Sequence, residues 1–138
     1  MTRELFGKTT GGSAVTRVEL RGGGLTARLL DWGATLQDLR LEGHSHSLVL
    51  GFPDFGSYED HSPYFGATAG RCANRIAWGR FRLDGNDYQL ERNEAGLHHL
   101  HGGSQGTAHR IWTIADLASD RVRFEIADPD GHMGYPGT

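Results

Sequence analysis

Glycine is spread so evenly along this chain that little room is left for a long helix. The sequence has 21 glycines among 138 residues, about twice the usual share of roughly 7%. Glycine destabilises helix interiors and is favoured in turns. No stretch carries apolar residues at the i, i+3, i+4 and i+7 spacing of an amphipathic helix. We therefore predict an all-β chain in which helices are short or absent.

Alternating apolar and polar residues indicate where the strands lie. Ala14–Leu20 and Arg121–Ala127 alternate in this way, and Ile111–Ala115 is the expected hairpin partner of Arg121–Ala127. Asp84–Asp87 has the composition of a tight hairpin loop. Short strands separated by turn residues at intervals of roughly 8–12 residues predict an antiparallel sandwich or barrel.

Charge and apolar content exclude several classes of partner. The 14 Lys and Arg against 17 Asp and Glu give a formal net charge of −3, so the basic surface that nucleic acid or anionic lipid requires is missing. The longest apolar stretch, around Leu48–Phe52, is far shorter than the ~20 residues of a membrane span. We expect a folded single domain that binds neither nucleic acid nor membrane.

Cysteine use and the N-terminal residues suggest a compartment. Cys72 is the only cysteine, so an internal disulfide framework is excluded. Met1–Thr10 has no apolar segment of the kind that a secretory signal needs. These features favour the cytoplasm. We expect Cys72 to be a small buried residue, because no candidate base lies beside it in the sequence.

Two glycine-flanked segments carry polar residues suited to binding a ligand. They are Gly70–Ile76, which contains two arginines and an asparagine, and Leu100–Gly103, which contains a histidine. Arginine offers five donors in a fixed fork, while asparagine and histidine can donate and accept. This set suits a neutral ligand with many hydroxyl groups. The same residues also fit solvated strand and turn positions, and composition alone leaves both interpretations open.

An ordered series of motifs extends over most of the chain and resembles the aldose 1-epimerase (galactose mutarotase) family. The series includes Asp31–Thr35, Leu48–Phe52, Tyr64–Ala67, Gly70–Ile76, Phe81–Gly85, Tyr88–Leu90, Asn93, Leu100–Gly103, Arg110–Trp112 and Asp128–Gly137. The resemblance implies a galactose mutarotase-like antiparallel β-sandwich. It also implies that residues 1–138 form a single partial domain, the N-terminal portion of the complete fold.

The resemblance further implies an isomerase that interconverts the α and β anomers of hexoses such as galactose or glucose without a cofactor. In the family, a histidine of an HxYFN-type motif is the acid and a glutamate nearer the C-terminus is the base. Neither motif is present, and both are expected beyond Thr138. We therefore predict no catalytic acid–base pair in this chain, and expect a second polypeptide or the missing C-terminal region to supply it.

Three substrate-binding residues are carried over from the family pattern. Asn74 and Arg75 are expected to bind sugar hydroxyls, and His101 to contact the sugar or assist electrostatically. Arg71 and Trp32 are weaker candidates, which fit better as part of the framework of the fold or of the rim of the sugar site. Tyr135 is expected to pack within or cap the final loop.

Other chemistries are less well supported by the sequence. His99 and His101, like His44 and His46, could place two imidazoles on one face of a strand, but no carboxylate follows at metal-ligand spacing, so we expect no metal site. Acidic residues near the histidine motif could suggest a glycosidase pair, but a solvated turn role is favoured for Asp84, Asp87, Glu91 and Glu94.

Two alternatives to an epimerase portion remain. The chain could be a non-catalytic carbohydrate-binding module, or one half of a split enzyme. The segment His61–Phe65 superficially resembles the acid-histidine motif, but it precedes Gly70–Ile76, so we assign it no catalytic role.

Overall fold

The regular structure of the chain is almost entirely antiparallel β. The computed structural model describes residues 2–61 and 64–138. Four consecutive strands form a meander in the order β1-β2-β3-β4. They are β1 (Thr2–Lys8), β2 (Ala14–Gly22), β3 (Leu25–Leu30) and β4 (Thr35–Leu41).

Six shorter strands form three antiparallel pairs. They are β5 (Arg75–Ile76), β6 (Arg80–Leu83), β7 (Asn86–Gln89), β8 (His99–Leu100), β9 (Thr113–Leu117) and β10 (Val122–Glu125). β5 pairs with β8, β6 with β7, and β9 with β10. The α-helix α1 (Gly56–Asp60) is little more than one turn, and the 3₁₀ turns are Ala77–Gly79, Thr107–His109 and His132–Gly134. The predicted β class and short helices are confirmed. No helix among the described residues is long and apolar enough to span a membrane.

The described residues fall into two compact units. The first contains the residues up to Thr68 together with Ile111–Glu125, and the second contains Ala69–Arg110 together with Ile126–Thr138. The four-stranded meander and the β9–β10 hairpin belong to the first unit, and the β5–β8 and β6–β7 pairs belong to the second.

An aromatic cluster forms the core of the first unit. Trp32, Phe55 and Tyr58 are buried together with Val15 and Leu30. The Trp32 and Phe55 rings meet edge to face with centroids 5.3 Å apart, a geometry that aromatic quadrupoles favour. Trp32 is only 4% exposed. The structure therefore places this weaker sugar-binding candidate within the hydrophobic core.

The predicted hairpins are present with shifted ends. β6 and β7 pair from Arg80–Gln89 to Leu83–Asn86, which leaves Asp84 and Gly85 as a two-residue turn. β9 begins at Thr113 rather than Ile111, and β10 ends at Glu125. Each of these ends lies about two residues from the predicted one, because the alternation of apolar residues continues past the last ladder hydrogen bond.

Both faces of β2 carry a buried residue. Val15 and Val18 are both fully buried, and alternation places residues three apart on opposite faces of a strand. Val15, which the alternating set Ala14, Thr16, Val18 and Leu20 leaves out, packs into the aromatic core cluster. The facing strand β1 changes register between Leu5 and Gly7, opposite Val15.

Candidate functional site

Asn74 and His101 bind each other through two hydrogen bonds in the second unit. The backbone N–H of Asn74 donates to Nδ1 of His101 over 3.0 Å, and the backbone N–H of His101 donates to the carbonyl of Asn74, also over 3.0 Å. Between them, Arg75 pairs with Leu100 where β5 meets β8. The three predicted substrate-binding residues thus lie together at one end of a two-stranded ladder.

The hydrogen bond from Asn74 determines the tautomer of His101. A backbone N–H only donates, so Nδ1 of His101 accepts. In the neutral imidazole the proton then resides on Nε2. Nε2 is therefore the N–H donor of the neutral ring.

Arg75 is ion-paired with Glu94. Its Nε donates to the two carboxylate oxygens of Glu94 over 2.6 and 2.8 Å, and its Nη2 also donates to Glu94 Oε1. Its Nη1 donates to the Asn74 side-chain oxygen over 3.2 Å. The hydrogen bond between the two side chains raises the pKa of Arg75 and lowers the pKa of Glu94.

The solvated-turn interpretation of Glu94 was therefore wrong in its main point. Glu94 does lie in a turn, in which Glu94 and His98 exchange backbone hydrogen bonds of 3.0 and 3.2 Å. Its carboxylate is nevertheless held on Arg75, and the side chain is 26% exposed. Its place near the histidine motif was the only sequence signal, because side-chain pairing across 19 residues leaves no local pattern.

The turn that carries Glu94 is fixed to β8 by Asn93. The Asn93 side-chain oxygen accepts the Leu100 N–H over 2.8 Å, and its amide donates to the Leu100 carbonyl over 2.9 Å. This two-point contact reproduces a backbone ladder step. It holds Glu94 beside the strand pair that carries Arg75.

His99 is fully buried and uses both ring nitrogens within the protein. Nδ1 lies 2.7 Å from the Glu91 carbonyl oxygen, which can only accept, so Nδ1 carries the proton. Nε2 then accepts the Tyr135 hydroxyl proton over 2.8 Å. Burial raises the pKa of the Tyr135 hydroxyl, and the neighbouring Cys72 raises it further.

This geometry contradicts a metal site built on His99 and His101, because the unprotonated nitrogen of His99 faces Tyr135. Within residues 2–61 and 64–138, no group of three or more His, Cys, Asp or Glu is placed to hold a metal ion. His44 and His46 lie exposed on the loop after β4.

Arg71 binds the segment that closes the second unit. Its Nε donates to Asp128 Oδ2 over 2.6 Å, and its Nη groups donate to the carbonyls of Asp128, Pro129 and Pro136 over 2.8 to 3.0 Å. Arg110 binds the other carboxylate oxygen of Asp128. Burial alone would raise the pKa of Asp128, but the hydrogen bonds from Arg71 and Arg110 outweigh it and lower the pKa. All three side-chain nitrogens of Arg71 thus donate hydrogen bonds to the segment that closes the second unit.

The remaining expectations have mixed outcomes. Cys72 is exposed, so the prediction of burial was wrong. Glu91 accepts the Ser104 N–H over 2.7 Å and is not merely a solvated carboxylate. Asp87 is 84% exposed at its side chain, as expected for a solvated carboxylate, but it lies in β7 and not in the turn. The assignment made for His61–Phe65 includes Ser62 and Pro63, which lie outside the described residues.

Known proteins with similar sequence or structure belong to one group. A family model described as aldose 1-epimerase matches residues 16–138. Galactose mutarotase of Rattus norvegicus is 41% identical over 99% of this chain and 41% of its own length, and aldose 1-epimerase of Escherichia coli K12 is 37% identical over 83% and 34%. The solved GalM/aldose epimerase homologue from C. elegans has a TM-score of 0.82 at 36% identity, covering 90% of this chain and 39% of its own. The chain spans about two fifths of the length of these relatives.

Proposed function

The chain belongs to the aldose 1-epimerase family, an isomerase family. On this basis we propose that it supplies the sugar-binding residues of an enzyme that interconverts the α and β anomers of a free aldohexose such as galactose or glucose. The observation that carries the proposal is the reciprocal Asn74–His101 contact with Arg75 between them. Asn74, Arg75 and His101 are the proposed sugar ligands.

The reaction opens and recloses the sugar ring. A general acid must protonate the ring oxygen while a general base removes the proton of the anomeric hydroxyl. The carbonyl then turns, and the hydroxyl attacks its other face. Negative charge develops on oxygen during both steps, and fixed N–H donors lower its energy.

His101 can provide such a donor. Its Nδ1 accepts the Asn74 N–H, so Nε2 carries the N–H of the neutral ring, and in this proposal that N–H binds a sugar oxygen. Asn74 adds a side-chain amide, which can donate to one hydroxyl and accept from another. These groups bind and orient a polyol, and stabilise alkoxide character, without moving a proton themselves.

The acid and base belong, in this proposal, to a part of the enzyme that this sequence does not contain. General acid–base catalysis contributes roughly 10²–10⁴-fold, so these 138 residues alone should have negligible mutarotase activity. A second polypeptide, or a C-terminal continuation, would complete the site. We place the activity in the cytoplasm, which the lone Cys72 favours.

Polarimetry with freshly dissolved α-galactose tests the proposal together with a binding titration. We expect saturable galactose binding without faster mutarotation, and faster mutarotation once the C-terminal portion of a mutarotase is added in trans. Binding that never gains activity in trans would favour a carbohydrate-binding module. Turnover by the chain alone that depends on His101 would contradict the proposal.

A further inference from the structure

We propose that Glu94 determines specificity at this site: by holding the Arg75 guanidinium in a closed ion pair, it restricts the site to uncharged aldoses and excludes phosphorylated ones. This inference rests on the proposed function, since it takes Arg75 as a sugar ligand. It goes further because it names the excluded substrates and the residue that excludes them.

Both edges of the Arg75 guanidinium that could bind a phosphate already have partners. Arginine recognises phosphate best through two parallel N–H donors on one edge of the guanidinium. On the edge formed by Nε and Nη2, both nitrogens donate to the Glu94 carboxylate. On the edge formed by Nη1 and Nη2, Nη1 donates to the Asn74 side-chain oxygen and Nη2 is held by Glu94. A hydroxyl can share a single N–H of this set, whereas a phosphate bound at two points would compete with Glu94 on either edge.

Displacement of Glu94 is opposed by its surroundings. The backbone of Glu94 is fixed by paired hydrogen bonds with His98 and by the contacts of Asn93 with Leu100. The carboxylate therefore reaches Arg75 from an anchored turn. A phosphate bound to Arg75 would also lie beside the Glu94 carboxylate, which is negatively charged like the phosphate.

Neighbouring cations do not offset this repulsion. Arg71 and Arg110 share the Asp128 carboxylate, Arg82 lies beside Asp87, and Arg92 donates to the Trp78 carbonyl. His98 and His101 each accept a backbone N–H at Nδ1, from Trp78 and Asn74 respectively, an arrangement that the doubly protonated ring cannot make.

The test compares the original chain with Glu94→Gln, which keeps the size of the side chain and removes its charge. Asp87→Asn is the matched control, because it removes one charge from an exposed strand position of the same unit. The Arg75 Nε–H resonance is followed by ¹⁵N NMR during titration with galactose, galactose 6-phosphate and inorganic phosphate. Glu94→Asp serves as a second variant that retains the charge.

We expect inorganic phosphate to leave the Arg75 resonance of the original chain, Asp87→Asn and Glu94→Asp unchanged, and to shift it saturably in Glu94→Gln. The affinity for galactose 6-phosphate relative to galactose should rise at least tenfold in Glu94→Gln, and the gain should shrink as salt is added. An unchanged ratio, or an equal phosphate response in the original chain, would overturn the role of Glu94. Absence of galactose binding in the original chain would instead contradict the proposed function, while the phosphate titration would still decide the role of Glu94.

Discussion

The Tyr135 hydroxyl donates a 2.8 Å hydrogen bond to Nε2 of His99, a fully buried residue. His99 lies two positions before His101, and its other nitrogen donates to the Glu91 carbonyl. The final loop is thereby tied to the strand that leads into the candidate site. Both ring nitrogens are satisfied in only one tautomer, so His99 has a single orientation in which no buried polar atom is left unpaired.

Tyr135→Phe should destabilise the fold without changing its packing volume. The substitution removes the donor and leaves Nε2 of a buried imidazole unpaired, which costs about 1–3 kcal/mol. Urea denaturation monitored by fluorescence measures the loss. Tyr88→Phe is the control. Tyr88 is the half-buried residue of β7, and its substitution should change the free energy of unfolding by less than ~0.5 kcal/mol. Equal effects of the two substitutions would show that the hydroxyl of Tyr135 is not stabilising.

Asp128→Asn should be costly at neutral pH, because it leaves Arg71 and Arg110 without their counter-charge. Both arginines are partly buried, at 22% and 27% exposure, so we expect a loss of about 3 kcal/mol, the low end for one member of a buried ion pair. Asp116→Asn is the control, since its pair with Arg121 is largely exposed and should contribute ~1 kcal/mol or less.

The same substitution has a characteristic pH dependence. The pKa of Asp128 is lowered in the folded state, so its stabilising contribution is complete above the usual carboxyl pKa of 3.8 and is lost as the pH falls through the lowered value. The stability difference between the original chain and Asp128→Asn should therefore narrow below pH ~4. A difference that stays constant from neutral to acidic pH would contradict this assignment.

Asp31→Asn should show the opposite pH dependence. Burial raises the pKa of Asp31, although its side chain accepts the Thr16 N–H over 2.8 Å. The folded state then holds the proton at a higher pH than the unfolded state, so unfolding free energy falls as the pH rises from 3.8 through the raised value. Relative to the original chain, Asp31→Asn should be more stable at pH 7 than at pH 3. Thermal unfolding at both pH values checks the sign.

His101→Ala should weaken hexose binding and loosen Asn74 together. Loss of one directed donor is expected to lower affinity roughly tenfold, equivalent to about 1.4 kcal/mol. The Asn74 amide proton, which donates to His101, should exchange with solvent faster. Isothermal titration and hydrogen exchange measure the two effects, with His46→Ala on the exposed loop as control. Weakened binding without faster exchange would separate the ligand role of His101 from its contact with Asn74.

Sequence patterns predicted most of what depends on local chemistry. The β class, the β9–β10 hairpin and the hairpin loop predicted at Asp84–Asp87, which is Asp84 and Gly85 in the structure, follow from glycine content and alternation, which act over a few residues. The ends of β9 and the burial of Val15 were not predictable, because they depend on where a ladder bond ends and on packing against residues distant in the sequence.

Long-range partners explain the rest of what was missed at the candidate site. Asn74, Arg75 and His101 were named from a motif, but the motif does not contain Glu94, which Arg75 reaches across 19 residues. Arg71 and Arg75 look equivalent in the sequence. Their surroundings differ, since Arg71 binds carbonyls and a carboxylate of the final loop and Arg75 binds the turn before β8.

The backbone of Asn74 has a consequence for protein engineering. Its φ of 63° lies in the left-handed region, where glycine is unstrained and asparagine is the best tolerated of the larger residues. A saturation library at this codon, screened only for expression of folded protein, should be enriched in glycine, asparagine, aspartate and histidine. Only asparagine in that set adds a neutral amide, so a second screen on immobilised sugar would recover the natural residue almost alone. The backbone thus limits the choice of residue before any ligand does.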